Sequence, residues 1–324
     1  MGKFLKNLSL GLVILVILVV ILEIVFRLVT GPPVATRGQR IAERREGEIE
    51  YALIPNLDRE FAGARVVTNS LGLRDHRPPH KSVDKKQVLV LGDSFTFGYG
   101  VALEESYPNL FEQILNETSE VTGYEVINAG VPGYDTVDEA ELLSKIIPHY
   151  SPELVIVGLH PGDFMTRQQV EKNLLVRVRE TLRYRSAFFA WLQRIYKTKL
   201  IKYVPPPKSA LTVDPETIFH TPRADRIKQA FLDIRETSAS NGADMIVLII
   251  TPLIHWEHYP YKALHTSVGE FCGENSIHFV DPLDAFSQHD AASLWLSPND
   301  SHYNAEANRI VARALHDYIR GVNR

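Results

Sequence analysis

Apolar positions recur along this chain with two different periods. From Lys86 onward, aliphatic and β-branched runs occupy Val88–Leu91, Glu125–Asn128, Leu154–Gly158, Met245–Thr251 and His278–Asp281. Between them, apolar residues recur every three to four positions over Tyr107–Asn116, Val137–Ile147, Ala224–Ala239, Ser267–Glu274 and Ala305–Ile319. Runs without a polar face predict strands buried on both sides, and the amphipathic stretches predict the helices that bury them. The alternation therefore predicts an α/β domain on a parallel sheet, in which ligands bind beyond the carboxyl ends of the strands.

The N-terminus follows a third pattern. Leu8 to Leu22 carries no charge, and the apolar character continues past Glu23 and Arg27 to Val29. About 22 residues at roughly 1.5 Å each match a hydrocarbon core of roughly 30 Å. A cleaved signal peptide, an uncleaved anchor and a buried core helix all share this pattern. The poor A-x-A pattern in "FRLVTGPPVATRG" disfavours cleavage, and Lys3 and Lys6 ahead of the stretch disfavour a core helix. The expectation is a single-pass signal anchor over 1–30. Glu23 and Arg27, four apart, are placed to pair near one end of that helix. Basic residues flank the stretch on both sides, so charge alone does not orient it. The short N-terminal tail favours a catalytic domain outside the cytoplasm, periplasmic or extracellular.

Residues 31–50 are polar and charged and read as a juxtamembrane linker, so 31–85 is expected to be linker and extension, and 86–324 the α/β domain. Residues 164–208 interrupt the alternation with 11 lysines and arginines against Glu171 and Glu180, interleaved with aromatics. This reads either as an amphipathic helical insertion with solvated charges or as a lid touching anionic head groups or an acidic polymer. Overall composition is ordinary for a globular chain: 45% hydrophobic, 23% charged, net charge -4. That balance argues against nucleic acid as a partner. The one cysteine, Cys272, leaves no intrachain disulfide and no cysteine metal cage. His255, Glu257 and His258 match no helical zinc spacing, so no metal is expected.

Candidate chemistry sits at the strand ends. "VLVLGDSFTFGYG" (88–100) ends a buried run at Gly92 and presents Asp93 and Ser94 on a turn. A serine becomes a nucleophile only with a base in hydrogen-bond reach and donors for the oxyanion. "NAGVPGYDT" follows the second run, with Gly130 as a candidate oxyanion amide. "GLHPGDF" follows the third. "SPNDSHYN" precedes the last helix and places Asp300 and His302 before a start capped by Asn304. An acid two residues ahead of a histidine is positioned to fix its tautomer. Asp93 is expected to bond backbone amides of its own turn. No G-x-G-x-x-G or P-loop follows the first strand, which argues against a nucleotide-binding domain, and no cofactor is implied.

"GDSFTFG", "NAGVPG" and "DSHYN" in this order resemble the SGNH (GDSL-like) hydrolase superfamily, from about Asn69 to the C-terminus. "NSLGLRD" (69–75) and the apolar N-terminus are similar to its membrane-tethered bacterial branch. The resemblance implies a flavodoxin-like three-layer α/β/α sandwich with strand order 2-1-3-4-5. It also implies a Ser-His-Asp mechanism on esters of sugars, polysaccharides or lipids. On matching positions, Ser94 is the nucleophile, His302 the base and Asp300 its orienting acid, with oxyanion amides from Ser94 and Gly130.

Two departures follow. The family commonly spaces acid and base as Asp-x-x-His, which would put Asn299 in the acid's place; Asp-x-His favours Asp300. The family's third block brings an Asn before an Asp, whereas this chain has Gly162 before Asp163. The substitute donor is expected to be either the backbone N–H of Gly162 or an Asn reaching in from the insertion. His160 and Asp163 are candidate substrate-binding residues, with packing of their own loop as the alternative for each. The expected function is a membrane-anchored serine esterase or O-acyltransferase acting on a carbohydrate or lipid ester, O-acetyl by preference. The rival is a catalytically impaired member of the fold that binds or assembles glycans.

Overall fold

The computed structural model describes residues 2–30, 41–44, 49–119, 123–164, 186–196, 217–298 and 300–322. Most of the basic insertion expected over 164–208 lies outside the described residues, as do 31–40 and 45–48 of the expected linker and Asn299. Helix α1 covers Gly2–Thr30, and its stretch Ser9–Val29 is long and apolar enough to cross a membrane. Glu23 and Arg27 pair across one helical turn at 2.6 Å, as their spacing predicts.

Two small antiparallel hairpins follow, β1 (Ala42–Arg44) with β2 (Tyr51–Leu53) and β3 (Asp58–Phe61) with β4 (Ala64–Val67). Strand β1 lies in the stretch read as linker, and β2, β3 and β4 lie in the extension that follows it. Ile41, Ile49, Leu53, Leu57 and Val66 are buried in the same core as the sheet, so this segment belongs to the body of the protein. Strands of three or four residues are too short to show a clear period.

The main sheet contains β5 (Lys85–Gly92), β6 (Gly123–Gly130), β7 (Pro152–Leu159), β8 (Asp244–Ile249) and β9 (His278–Val280). All are parallel in the order β6-β5-β7-β8-β9, which is the expected 2-1-3-4-5. Helices in chain order are α2 (Ser94–Phe97), α3 (Tyr107–Thr118), α4 (Thr136–Ile146), α5 (Ala187–Ile195), α6 (Pro222–Ser240), α7 (Lys262–Glu274), α8 (Leu283–Ser287) and α9 (Ala305–Val322). A last hairpin, β10 (Trp295–Ser297) with β11 (Asp300–Tyr303), precedes α9.

Strand alternation sorts each strand between two cores. Leu89 and Leu91 join Ile127, Val155, Val157 and Val247 under α4, α6 and α7. Val88 and Val90 join Val126, Ile156, Ile246 and Leu248 under α3 and α9. That is the three-layer sandwich. The register has a direct consequence for function: Gly92 is level with Gly130 on one side and Gly158 on the other. Three neighbouring strands thus end together, and the residues two positions further on, Ser94 and His160 among them, emerge side by side.

Helix α5, the described part of the insertion, docks on the last turns of α1. The Glu23 carboxylate accepts hydrogen bonds from Ser186 Oγ (2.7 Å), the Ala187 N–H (3.0 Å) and the Phe188 N–H (3.2 Å). It therefore acts as an N-terminal cap supplied by another helix, where a negative charge is favoured. Phe26 packs beside it against Phe188 and Trp191, with ring centroids 5.4 and 4.7 Å away.

Candidate active site

Strand β5 ends at Gly92, and Asp93 caps α2 by accepting a hydrogen bond from the Phe95 N–H at 2.8 Å. Ser94 is the first residue of that helix. Its N–H is one of the first-turn donors that no intrahelical carbonyl can reach, and it lies beside its own hydroxyl.

The partner arrives from the C-terminal hairpin. His302 Nε2 lies 2.9 Å from Ser94 Oγ, and His302 Nδ1 lies 2.6 Å from Asp300 Oδ1. A carboxylate only accepts, so Nδ1 carries the proton and donates it to Asp300. Nε2 is then a lone pair, and the Ser94 hydroxyl donates to it. Asp300 Oδ1 also accepts the His302 backbone N–H at 3.0 Å, which fixes acid and ring to each other. Asp300 is 7% exposed. The hairpin is pinned to the end of β8, since Tyr303 Oη donates to the Thr251 carbonyl (2.8 Å) and Trp295 Nε1 to the Leu253 carbonyl (2.9 Å). Behind it, Asn304 caps α9 by accepting the Ala307 N–H at 3.0 Å. Tyr99 stacks on the His302 ring at 4.5 Å, and Phe95 lies 4.9 Å from it at a tilt. An imidazole held this way can take the serine proton while the buried carboxylate stabilises the resulting cation.

The expected oxyanion amides fare differently. The Gly130 N–H donates to Asn128 Oδ1 at 3.0 Å, so it is committed inside the sheet edge. Asn128 also donates through Nδ2 to the Thr96 carbonyl at 2.9 Å. Gly130 is glycine for a steric reason, because a Cβ there would collide with the backbone nitrogen of Phe97. The Gly162 N–H is committed as well, donating to His160 Nδ1 at 3.0 Å. Neither glycine amide points a spare donor at Ser94. In each case the acceptor is a side chain two residues back.

His160 stands in the cleft, its ring stacked on Phe95 at 5.1 Å and 18°, and burial and nearby His302 lower its pKa from the ordinary 6.5 despite Asp93. Asp163, the other candidate for substrate contact, turns inward. It is 4% exposed, its Oδ2 accepts from Thr136 Oγ1 (2.8 Å), and its carbonyl accepts from Arg223 Nε (3.0 Å). Glu139 lies fully buried nearby, with no hydrogen bond to either carboxyl oxygen among the described residues. Burial first, and Asp163, Asp93 and Asp135 next, raise its pKa well above the ordinary 4.5. Among the described residues, no group of three His, Cys, Asp or Glu side chains could hold a metal ion.

Sequence reasoning missed the support beneath Ser94. Arg74, in the "NSLGLRD" stretch, is 1% exposed. Its guanidinium donates to the carbonyls of Phe97 (2.5 Å), Gly98 (2.6 Å) and Val101 (2.8 Å), which close the turn after α2. Asn69 of the same stretch accepts the N–H groups of Leu71 (3.0 Å) and Leu73 (3.1 Å) and so shapes the loop that delivers Arg74. The signal was present as a motif without an assigned task.

Comparison with known proteins agrees with this architecture. Residues 90–310 match the sequence profile of the GDSL-like Lipase/Acylhydrolase family. An arylesterase from Vibrio mimicus is 33% identical over 79 residues, 24% of this chain and 38% of that protein, so the match spans well under half of the relative's length. An acetylxylan esterase from Geobacillus stearothermophilus is similar over 74% of this chain and 96% of its own, with 16% identity and a TM-score of 0.46. The psychrotrophic esterase EstA from Pseudoalteromonas sp. is similar over 74% of this chain and all (100%) of its own, with 15% identity and a TM-score of 0.45.

Proposed function

The chain belongs to the GDSL-like lipase/acylhydrolase family, and from that premise we propose that it is a serine esterase or acyltransferase whose nucleophile is Ser94. The observation that carries the proposal is the hydrogen-bonded chain Ser94–His302–Asp300 at the carboxyl end of the sheet. His302 Nε2 takes the Ser94 proton as Oγ forms a bond to the ester carbonyl carbon. The carbonyl electrons move onto oxygen, and the Ser94 N–H meets that charge. Collapse breaks the bond to the alkoxy group, which leaves with the proton from His302. Water, or an acceptor hydroxyl, then gives its proton to His302, attacks the acyl-serine and releases Ser94.

The finer reading is an extracytoplasmic enzyme tethered by α1, acting on an O-acyl ester, preferably O-acetyl, of a glycan or lipid. The apolar stretch Ser9–Val29 supports the tether. The resemblance to tethered members of the superfamily supports the substrate class. The rival, a binding protein with impaired chemistry, is favoured by the engagement of the Gly130 and Gly162 amides elsewhere. A fluorophosphonate probe that labels activated serines separates the two. Labelling of the full chain that maps to Ser94 and is lost on heating is the expected result, with Ser94→Ala abolishing hydrolysis of p-nitrophenyl acetate. A folded chain that stays unlabelled at pH 7–9 supports the binder.

A further inference from the structure

We infer that His160 supplies the side-chain oxyanion donor of this site, through Nε2–H, in a chain whose neighbouring glycine amides are otherwise engaged. The inference rests on the reading of Ser94 as nucleophile and deepens it.

Three observations converge. The first is register. Gly92 of β5 is paired with Gly158 of β7 in a parallel ladder, so the residues two positions beyond this pair, Ser94 and His160, leave the sheet side by side. The ring of His160 accordingly stacks on Phe95, the residue after Ser94, at 5.1 Å and 18°. Its Nδ1 lies 3.9 Å from Oδ2 of Asp93, the residue before Ser94. His160 therefore brackets the serine from the strand on the side opposite β6.

The second is the tautomer. Gly162 N–H donates to His160 Nδ1 at 3.0 Å, so Nδ1 must present a lone pair. A neutral imidazole then carries its proton on Nε2. Protonating Nδ1 would set two hydrogens against each other. Burial, which lowers the pKa of this ring, acts in the same direction. The room for this bond exists because residue 162 is glycine: a Cβ there would lie 2.7 Å from Nδ1. The Gly162 amide thus becomes the group that orients the ring.

The third is availability. The His160 side chain is 25% exposed, and Nε2 has no hydrogen-bond partner among the described residues. A neutral N–H donor held rigidly by a stack and a backbone bond, and left unpaired beside a serine, is what developing negative charge on a substrate oxygen requires. It costs no reorganisation when the tetrahedral intermediate forms.

The test uses the full-length chain in detergent with p-nitrophenyl acetate. His160→Ala should lower kcat by about 10²–10³ with KM within about threefold, the usual cost of one oxyanion donor. His160→Phe keeps an aromatic ring against Phe95 but has no N–H, and should fall as far as alanine. His160→Asn restores an N–H donor and should recover at least about tenfold of the loss. Melting temperatures report folding for each variant. A His160→Phe protein with the wild-type kcat overturns the inference, because packing then suffices. So does an asparagine variant no better than alanine while equally folded. Fluorophosphonate labelling of Ser94 in the wild type is read separately. If it is absent, the serine-hydrolase reading itself falls; if it is present while His160→Phe is fully active, only the assignment to His160 falls.

Discussion

The guanidinium of Arg74 lies 4.5 Å over the ring of Phe97 while donating to the carbonyl of the same residue. One side chain thus grips both the ring and the backbone of the residue that ends the helix bearing Ser94. Burial pulls the Arg74 pKa down to about 10, still above neutrality, so the group is charged while it holds these carbonyls.

Arg74→Met is expected to remove a donor from three buried carbonyls, leaving that of Val101 without one among the described residues, and to cost about 2–4 kcal/mol. Arg74→Lys should recover only part of this, because an ammonium on a flexible stem cannot span the same three oxygens. Thermal melts check the order wild type, lysine, methionine. Ester turnover should fall in both variants through loosening of the Ser94 turn, with kcat affected more than KM.

Asp300→Asn tests the tautomer argument. An asparagine that turns its N–H₂ toward Nδ1 would force the proton of His302 onto Nε2, where it blocks acceptance from Ser94. A loss of about 10³–10⁴ in kcat is expected, with little change in melting temperature. Activity within tenfold of wild type would mean that a different group orients His302.

The Glu139 carboxyl gives a pH signature. Its folded pKa lies well above 4.5, so between those values the folded state binds more protons than the unfolded one. Stability from this group is fully present below pH 4.5 and is lost as pH rises through the folded pKa. The slope approaches about 1.4 kcal/mol per pH unit for one proton. Glu139→Gln keeps the shape and removes the titration. Its melting temperature should exceed that of the wild type at pH 8 and vary less between pH 5 and pH 8. Parallel curves for the two proteins would show that Glu139 does not titrate in this range.

Glu23 should matter to α5 rather than to α1. Glu23→Leu makes the apolar helix more apolar, yet it removes the acceptor of the Ser186, Ala187 and Phe188 donors. An N-cap is worth about 1 kcal/mol, so amide hydrogen exchange at 187 and 188 should quicken about fivefold. Exchange within α1 should not change. Equal exchange in both proteins would show that the aromatic contacts of Phe26 hold α5 unaided.

The sheet was legible because its strands are buried on both faces and read as continuous apolar runs; all five appear, lengthened by one to three residues at most ends. Ser94, Asp300 and His302 were legible because each stands at a break in pattern. Two things were hidden. Whether an amide is free depends on which side-chain acceptor reaches it, and Asn128 Oδ1 and His160 Nδ1 each do so over two residues. The direction of Asp163 was hidden because its partner, Thr136, is the first residue of α4, 27 residues away. His302, placed by the sequence just ahead of the last helix, lies on β11, a strand of four residues with no readable period.

Ser94 and His302 are separated by 208 residues, and the order of synthesis makes that interval a safeguard. The ribosome delivers the serine first and the imidazole 208 residues later. The helices flanking them are joined late too, where Asn308 Oδ1 of α9 accepts the Tyr107 N–H of α3 at 3.0 Å. Until those last elements dock, Ser94 is an ordinary alcohol with no base near it. A nascent or truncated chain ending before residue 300 therefore carries the serine in an inert form. Under the proposed function, the serine's activation comes into being only with the assembled sandwich, which makes its chemistry a report on whether the sandwich has folded.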